Sequence, residues 1–222
     1  MATAPPVATA PARPRPPRSL QFADPGEDDL RDDGVYRALG FYDLALTGRT
    51  AKAAEFAQCR FKRADLTGTA LAGAILTDCL IEHSTLAGVR ADRSVLHRVT
   101  IRDSRLDGLL WLDGTLHDVT VRDCDATGSV FRAARLQNVA FTRTSLAGAD
   151  FTDADLAGVT FTGCDLTGAR FDGASATGSR FSECSLDGIA GVTGLSGATV
   201  VSADPAALAE VLAAALGIVL ED

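Results

Sequence analysis

An apolar residue recurs at every fifth position from Phe56 to Leu186, without a slip of register. Two residues before each of them lies Ala, Cys, Ser, Thr, Val or Gly, and Leu109 is the one exception. An amphipathic helix repeats its apolar residues about every 3.6 positions and a half-buried strand about every 2. Since neither period fits, we infer a chain that turns a corner every five residues and buries one large and one small side chain on each side.

A second, longer repeat sets the size of the coil. The sequence VTIRD at residues 99–103 returns as VTVRD at residues 119–123, and His97 returns as His117. Four sides of five residues therefore make one coil. Repeats of this length are typical of solenoids, in which each coil buries its faces only against its neighbours. The sequence predicts an all-β solenoid with the shape of a rod.

The five-residue units resemble those of the pentapeptide-repeat family, whose consensus is roughly Ala-(Asp/Asn)-Leu-X-X. Residues 64–68 (ADLTG), 149–153 (ADFTD) and 154–158 (ADLAG) match it closely. The resemblance covers residues 54–188 and implies a right-handed quadrilateral β-helix. Glycine recurs at one position of the unit, from Gly68 to Gly188, where we expect a corner with an unusual φ angle.

We expect four regions along the chain. Residues 1–25 are predicted to be a disordered, solvated tail rich in Pro and Arg, since such a segment buries little apolar surface. Residues 26–53 are predicted to form an acidic N-terminal cap and a degraded first coil, because terminal repeats are usually atypical. The β-helix occupies residues 54–201. Residues 202–222 form a C-terminal helix and a short strand.

The C-terminal region carries helix boundary signals. Asp204 and Pro205 predict the start of the helix, as N-cap and first residue, and Gly217 predicts its end. Ile218 to Leu220 are predicted to form the short strand. The helix has an apolar stripe that we expect to cover the open end of the solenoid and to form a dimer contact. The residues of this stripe are Leu208, Val211, Leu212, Ala215 and Leu216.

No pattern in the sequence predicts an enzyme, a cofactor or a metal site. The five cysteines, Cys59, Cys79, Cys124, Cys164 and Cys184, all lie in the small inward series, where free thiols pack as apolar residues. His97 and His117 are expected to stack one coil apart, but without a third ligand. There is no stretch of apolar residues long enough to span a membrane, so we expect a cytoplasmic protein.

One segment departs from the repeat. Residues 109–112 (LLWL) place four large apolar residues together, with Leu109 in a small inward position and Gly114 in the next one. Either the core bulges here or Leu110 and Leu112 are exposed. An exposed patch would be a partner site, whereas the other interpretation is a local adjustment of packing. Ordinary outward residues, such as Thr152, are expected to tolerate alanine.

Acidic residues are concentrated towards the C-terminal end of a chain whose net charge is −8. Between residues 146 and 201 only Arg170 and Arg180 are basic. These acids form either an ordinary solvated face or an electrostatic surface for a basic partner, and we expect the binding surface. The acids are Asp150, Asp153, Asp155, Asp165, Asp172, Glu183 and Asp187.

The end of the chain, residues 197–200 (GATV) followed by the helix, is similar to that of pentapeptide-repeat proteins of the quinolone-resistance type. Those are dimeric rods that resemble duplex DNA in shape and charge and engage DNA gyrase. The resemblance implies a homodimer that binds a type II topoisomerase, not nucleic acid, and protects it from quinolone-like poisons. The alternative is a structural scaffold whose faces bind some other protein.

Overall fold

The computed structural model of the chain describes residues 10–201 and 205–219. They form a parallel β-solenoid of about nine turns followed by one helix. The strands pair residues one repeat apart, as in Glu55 with Ile75 and Val95 with Thr115. The 20-residue coil predicted from the sequence is therefore confirmed.

The strands lie in a single parallel sheet that wraps around two sides of the rod. One side carries β2, β4 and β6, the neighbouring side carries β3, β5 and β7, and β8, β9 and β10 each cover both sides. The other two sides are joined by single-residue bridges, such as that between Asp65 and Thr85. The strands are β1 Gln21–Phe22, β2 Val35–Arg37, β3 Leu39–Tyr42, β4 Glu55–Ala57, β5 Arg60–Lys62, β6 Ile75–Thr77, β7 Leu80–Glu82, β8 Val95–Arg102, β9 Thr115–Arg122, β10 Arg135–Thr142, β11 Thr160–Thr162, β12 Arg180–Ser182 and β13 Thr199–Val201.

The corners of the coil have a left-handed backbone. Every fifth residue from Asp33 to Gly188 has a positive φ, which confirms the unusual corner expected from the glycines. Many corners nevertheless carry a side chain, for example Ala53 with φ 53°. A left-handed residue other than glycine costs about 1–2 kcal/mol. Hydrogen bonds between coils, such as that from the Ala53 N–H to the Ala72 carbonyl at 2.9 Å, offset this cost.

The core lies along the axis of the rod and consists of the two inward series of side chains. Both series are buried apart from the half-buried Cys184, which confirms the inward and outward assignment made from the sequence. Phenylalanines stack from coil to coil, with ring centroids 5.2 Å apart for Phe131 and Phe151 and 5.3 Å for Phe151 and Phe171. Each coil therefore aligns its neighbours through ring stacking as well as through main-chain hydrogen bonds.

The first coil is more regular than the sequence suggests. Tyr36, Phe41 and Leu46 occupy the large inward positions and are buried. The degraded character that we expected is confined to the small positions, where Leu44 is only half-buried and Arg49 is exposed. The strand β1 adds a partial turn below, since it pairs with β3.

Residues 10–20, which we call the strap, differ from the solvated tail that the sequence suggests. They lie against one side of the solenoid, and the main-chain N–H of Ala12 donates to the Asp118 carboxylate at 3.1 Å. The N–H of Arg15 donates to Asp78 at 3.0 Å. These acceptors come from distant coils, so composition alone did not reveal them. Residues 1–9 lie outside the described residues.

The irregular segment at residues 109–112 fits within the regular coil. Leu109 and Trp111 are buried, whereas Leu110 and Leu112 are partly exposed. Leu110 keeps its bridges to Arg90 and Val130, so the backbone does not bulge. Of the two interpretations, a local adjustment of packing is the one seen.

The C-terminal helix α1 spans Pro205–Ala215, beginning at the predicted Pro205. Gly217 follows it with φ 69°, the left-handed residue expected after a helix end. Ile218 and Val219 are not in a strand, contrary to expectation: an isolated strand has no partner with which to form a ladder. Asp204 and Leu220 lie outside the described residues.

Within the described ranges, no helix has both the length and the hydropathy required to cross a bilayer. The five cysteines are free thiols, of which Cys184 alone is only half-buried. Burial raises the pKa of Cys124 to about 11, which keeps this thiol protonated and unreactive at neutral pH.

Candidate functional site

The structure does not gather the seven predicted acids on one surface. Asp165 and Asp187 lie on one side of the rod, and Asp155 and Glu183 on two others. The remaining three, Asp150, Asp153 and Asp172, share the fourth side. The predicted cluster is therefore close together along the chain but distributed around the axis.

Asp150 is not a surface acid at all. It is 6 % exposed, and its carboxylate accepts hydrogen bonds from Arg132 Nε at 2.6 Å and from the Thr152 hydroxyl at 2.6 Å. Burial acts to raise the pKa of Asp150, but the hydrogen bonds from Thr152 and Arg132 outweigh it and lower the pKa below its ordinary value. Asp150 is thus a structural ion-pair partner rather than a group free to bind another protein.

A different grouping of acids emerges around the axis. We use the name acidic face for the side of the rod whose inward residues include Leu66, Leu106 and Leu166. Four exposed carboxylates lie on it, and none is in an ion pair with another residue in the described part of the chain. Asp107 lies there too, but pairs with Arg105 at 3.3 Å. The four free acids are Asp65, Asp125, Asp165 and Asp187.

The sequence contains a signal for this face that counting acidic residues along the chain does not show. Sorting acids by their position within the 20-residue coil, rather than along the chain, brings Asp65 and Asp125 together with Asp165. With coils about 4.8 Å apart, the strip from Asp65 to Asp187 is about 29 Å long. It therefore extends along most of the rod instead of being confined to the C-terminal end.

One edge of the acidic face carries no side chain in any coil. The corner there is glycine each time, and these glycines are exposed with nothing within 4 Å of where a Cβ would lie. Other corners accept Asp, Arg or His at similar φ. A partner can consequently approach the main chain of this edge closely. The glycines are Gly48, Gly68, Gly88, Gly108, Gly128, Gly148, Gly168 and Gly188.

A second surface lies beneath the strap. We use the name strap face for the side of the rod whose inward residues include Phe61, Ile81 and Ile101. Its centre is Glu82, which is 1 % exposed and hydrogen-bonded to Arg60 Nε at 3.0 Å and to Arg102. Burial acts to raise the pKa of Glu82, yet the two guanidinium groups outweigh it and lower the pKa. The network fixes the positions of Arg60, Glu82 and Arg102 on this side of the rod.

The corner beside the strap face holds the two histidines singled out in the sequence. The rings of His97 and His117 lie one coil apart with centroids separated by 5.2 Å, and their planes are tilted by 50° rather than stacked. Asp118 lies beside them, so that three potential ligand atoms are within 4.8 Å of one another. Arg98 Nη1 lies 2.8 Å from His97 Nε2, and Asp118 accepts from Ala12 and Asn138. We therefore assign the three residues to the hydrogen-bond network of the corner.

The predicted dimer residues fall into two groups. Leu208 and Val211 are half-buried against the last coils, where they help to cover the end of the core. Leu212, Ala215 and Leu216 are exposed, Leu212 by 39 %. Ile218 and Val219 extend the exposed group. Helix α1 and the segment that follows it thus provide both the cover and an apolar patch that has no partner among the described residues.

Comparison with known proteins identifies the repeat. The family description "Pentapeptide repeat region" matches residues 94–171, and "Pentapeptide repeats (8 copies)" matches residues 45–78 and 154–189. Together these matches cover more than half of the chain. No curated protein sequence matches significantly.

Several solved structures are similar in fold. Full-length QnrB1, a plasmid-mediated fluoroquinolone resistance protein, is 20% identical, with 81% of this chain and 100% of that chain covered and a TM-score of 0.43. HetL, involved in heterocyst differentiation regulation in the cyanobacterium Nostoc sp. strain PCC 7120, is 18% identical, with 82% and 94% covered and a TM-score of 0.34.

A pentapeptide repeat protein from the thylakoid lumen of Arabidopsis thaliana is 17% identical, with 60% of this chain and 65% of that chain covered and a TM-score of 0.24. The four-sided coil, its two inward series and the two family matches agree with one another. The chain belongs to the pentapeptide-repeat family.

Proposed function

We propose that this protein is a non-enzymatic interaction rod that binds a type II topoisomerase, DNA gyrase, through its acidic face, and protects the enzyme from quinolone-like poisons. The proposal rests on one observation above all: four carboxylates without an ion-pair partner among the described residues lie on one side of the rod, which ends at an edge of bare glycine main chain. A straight anionic rod can enter a basic channel that normally receives duplex DNA.

The charge density sets the scale of the expected affinity. Four carboxylates along about 29 Å correspond to about one charge per 7 Å, against about one per 3.4 Å for a single DNA strand. The acidic face is thus a sparse copy of one strand. We expect binding to weaken with added salt, since exposed charges are screened over about 10 Å at 0.1 M ionic strength.

The proposed dimer doubles this surface. Joining two copies through the exposed patch of α1 would align two rods end to end and bring the acids near each C-terminus to the centre. Asp165 and Asp187 would then have counterparts across the dimer axis. The same patch explains why Leu212 and Leu216 remain exposed within one chain.

A supercoiling assay with purified gyrase, with and without a fluoroquinolone, tests the proposal. We expect the wild-type protein to inhibit supercoiling or to restore it in the presence of the drug. A variant with Asp65, Asp125 and Asp165 replaced by Asn should lose most of this effect. Asn keeps the Oδ1 acceptor used by the turns at Asp65 and Asp165, so the fold is retained.

A matched control distinguishes the carboxylates of the acidic face from carboxylates on the other sides of the rod. Replacing Asp153 and Asp155 by Asn and Glu183 by Gln removes the same charge from the other sides and should leave the effect largely intact. If both variants lose it equally, the acids of the C-terminal end act together and the acidic face is not the site. If the wild type neither inhibits nor protects gyrase at micromolar concentration, the protein is better described as a scaffold with another partner.

A further inference from the structure

The strap contacts the solenoid with a period of three residues. Pro11, Pro14, Pro17 and Leu20 are partly buried, whereas the two residues between each pair are exposed. A polyproline II helix has three residues per turn, so one edge of it faces the same way at every third residue. The strap therefore lies against the strap face along a single proline edge, as a bound polyproline II segment does.

The pitch of this segment matches the spacing of the coils. Ala12 and Arg15 donate their N–H groups to Asp118 and Asp78, which occupy the same corner two coils apart. Three residues of polyproline II helix advance about 9.3 Å, and two coils advance about 9.6 Å. One turn of the segment thus spans two coils, and the N–H groups of Ala12 and Arg15, three residues apart, meet equivalent acceptors.

Both acceptors are held in place by the solenoid itself. Arg98 donates to the two oxygens of Asp78 at 2.7 and 2.8 Å, and Asn138 donates to Asp118. Gln58 Nε2 completes the site by donating to the Arg15 carbonyl at 3.2 Å. A segment that binds here therefore meets a preorganised site, which lowers the entropic cost of binding.

The contacts require the spacing of the prolines but no other side chain of residues 11–17. The hydrogen bonds use the main-chain N–H and C=O groups of Ala12 and Arg15, and the buried edge consists of proline rings. An open cleft of about 800 Å³ remains between the strap and the strap face, beside Leu80 and Thr100. The surface consequently has room for a bulkier segment than the one that occupies it.

We propose that the strap face is a binding site for an extended segment of a partner protein with proline at every third residue, and that residues 10–20 are its intramolecular competitor. Tethering keeps the strap at a high effective concentration, of order millimolar for a short linker. The partner must displace it, so the observed affinity falls in proportion to the fraction of molecules with an open site. This proposal is independent of gyrase binding, which uses another side of the rod.

The test uses the full chain and a fluorescent peptide with the sequence of residues 10–20. In a strap variant, Pro11, Pro14 and Pro17 are replaced by Gly, which removes the buried edge and raises the entropy of the free segment. We expect the peptide to bind the strap variant at least about tenfold more tightly than the wild type, measured by fluorescence polarisation. Equal binding to both proteins, or binding to neither, would overturn the proposal.

Two controls make the result specific. In a control peptide, Pro11, Pro14 and Pro17 each exchange places with the residue that follows. The composition is unchanged, but the prolines are shifted by one position and both N–H donors are removed. The control peptide should not bind. In the strap variant, Asp118→Ala should weaken peptide binding about tenfold, as expected for a lost hydrogen bond to a charged group, whereas Asp125→Ala on the acidic face should not. Binding that survives both changes would show that the segment does not sit at this corner.

Discussion

Trp111 lies directly over Gly114, in the space that a side chain at residue 114 would occupy. A Cβ on Gly114 would overlap the indole nitrogen and the adjacent carbon of Trp111, and would press against the Ser94 carbonyl. Gly114 is not among the residues of positive φ, so glycine is required here for space rather than for backbone conformation. The large Trp111 and the small Gly114, both departures from the repeat, therefore compensate each other in volume.

Replacing Gly114 by alanine should destabilise the solenoid. The added methyl group overpacks a filled core, which costs about 1–3 kcal/mol. The free energy of unfolding from urea titration measures the effect. Ala134→Gly is a useful comparison, since it makes the reverse change at the equivalent small position one coil later, where alanine is buried.

The same relationship predicts that Trp111→Phe rescues Gly114→Ala. The smaller ring vacates the space, and it also removes a buried indole N–H that has no hydrogen-bond partner among the described residues. In a double-mutant cycle we expect a coupling of about 0.5–3 kcal/mol between the two substitutions. Additive effects would show that the two residues do not compete for space.

The repeat made the fold readable from sequence, because its core and its corners are strictly periodic. Phe151 and Gly68 occupy positions that recur in every coil, so each could be assigned without knowledge of the rest. The contacts that the periodicity did not reveal join residues across different positions of the coil. Arg132 and Asp150 are 18 residues apart, and only their pairing turns an outward acid into a buried one.

The strap was missed for a related reason. A segment of Pro and Arg cannot bury enough of its own surface to become ordered, and composition says nothing about acceptors elsewhere. Asp78 and Asp118 lie 63 and 106 residues from their donors Arg15 and Ala12. The three-residue spacing of Pro11, Pro14 and Pro17 is visible in the sequence, but its meaning depends on the coil spacing.

The Asp150 network corrects the expectation for Thr152. Because the Thr152 hydroxyl and N–H both donate to a buried carboxylate, Thr152→Ala should destabilise the protein by about 1 kcal/mol or more. Thr67→Ala is the matched control, since the hydroxyl and the N–H of Thr67 both donate to the exposed Asp65, and it should change stability by about 0.5 kcal/mol at most. Equal shifts in the urea midpoint would contradict a special role for Asp150.

The corner that holds the strap should weaken in mild acid. Burial lowers the pKa of His97, and the charges of Arg98 and His117 lower it further, while Asp118 and Asp78 act to raise it. The folded state thus binds fewer protons than the unfolded state, whose histidine has a pKa of about 6.5. Stability is then lost as the pH falls below about 6.5, through the folded pKa of His97.

Thermal melts between about pH 7.5 and 5, the range over which histidine titrates, check this expectation. His97→Gln should reduce the dependence on pH, and His83→Gln, a change at an exposed corner histidine, should not. The carboxylates Asp78 and Asp118 have lowered pKa values and lose their contribution only at more acidic pH. A wild-type melting temperature that is constant over the range would contradict the assignment.

The exposed apolar residues of α1 and of the segment that follows it predict a dimer. Val219 is 82 % exposed and Leu216 65 %, values that favour burial against a second copy. Light scattering should give about twice the chain mass of 23.0 kDa. Leu212→Arg places a charge in the patch and should return the protein to a monomer, whereas Glu210→Arg, on the opposite side of the helix, should leave the dimer intact. A wild-type monomer at micromolar concentration would reject the dimer, and dissociation by both substitutions would place the contact on another part of α1.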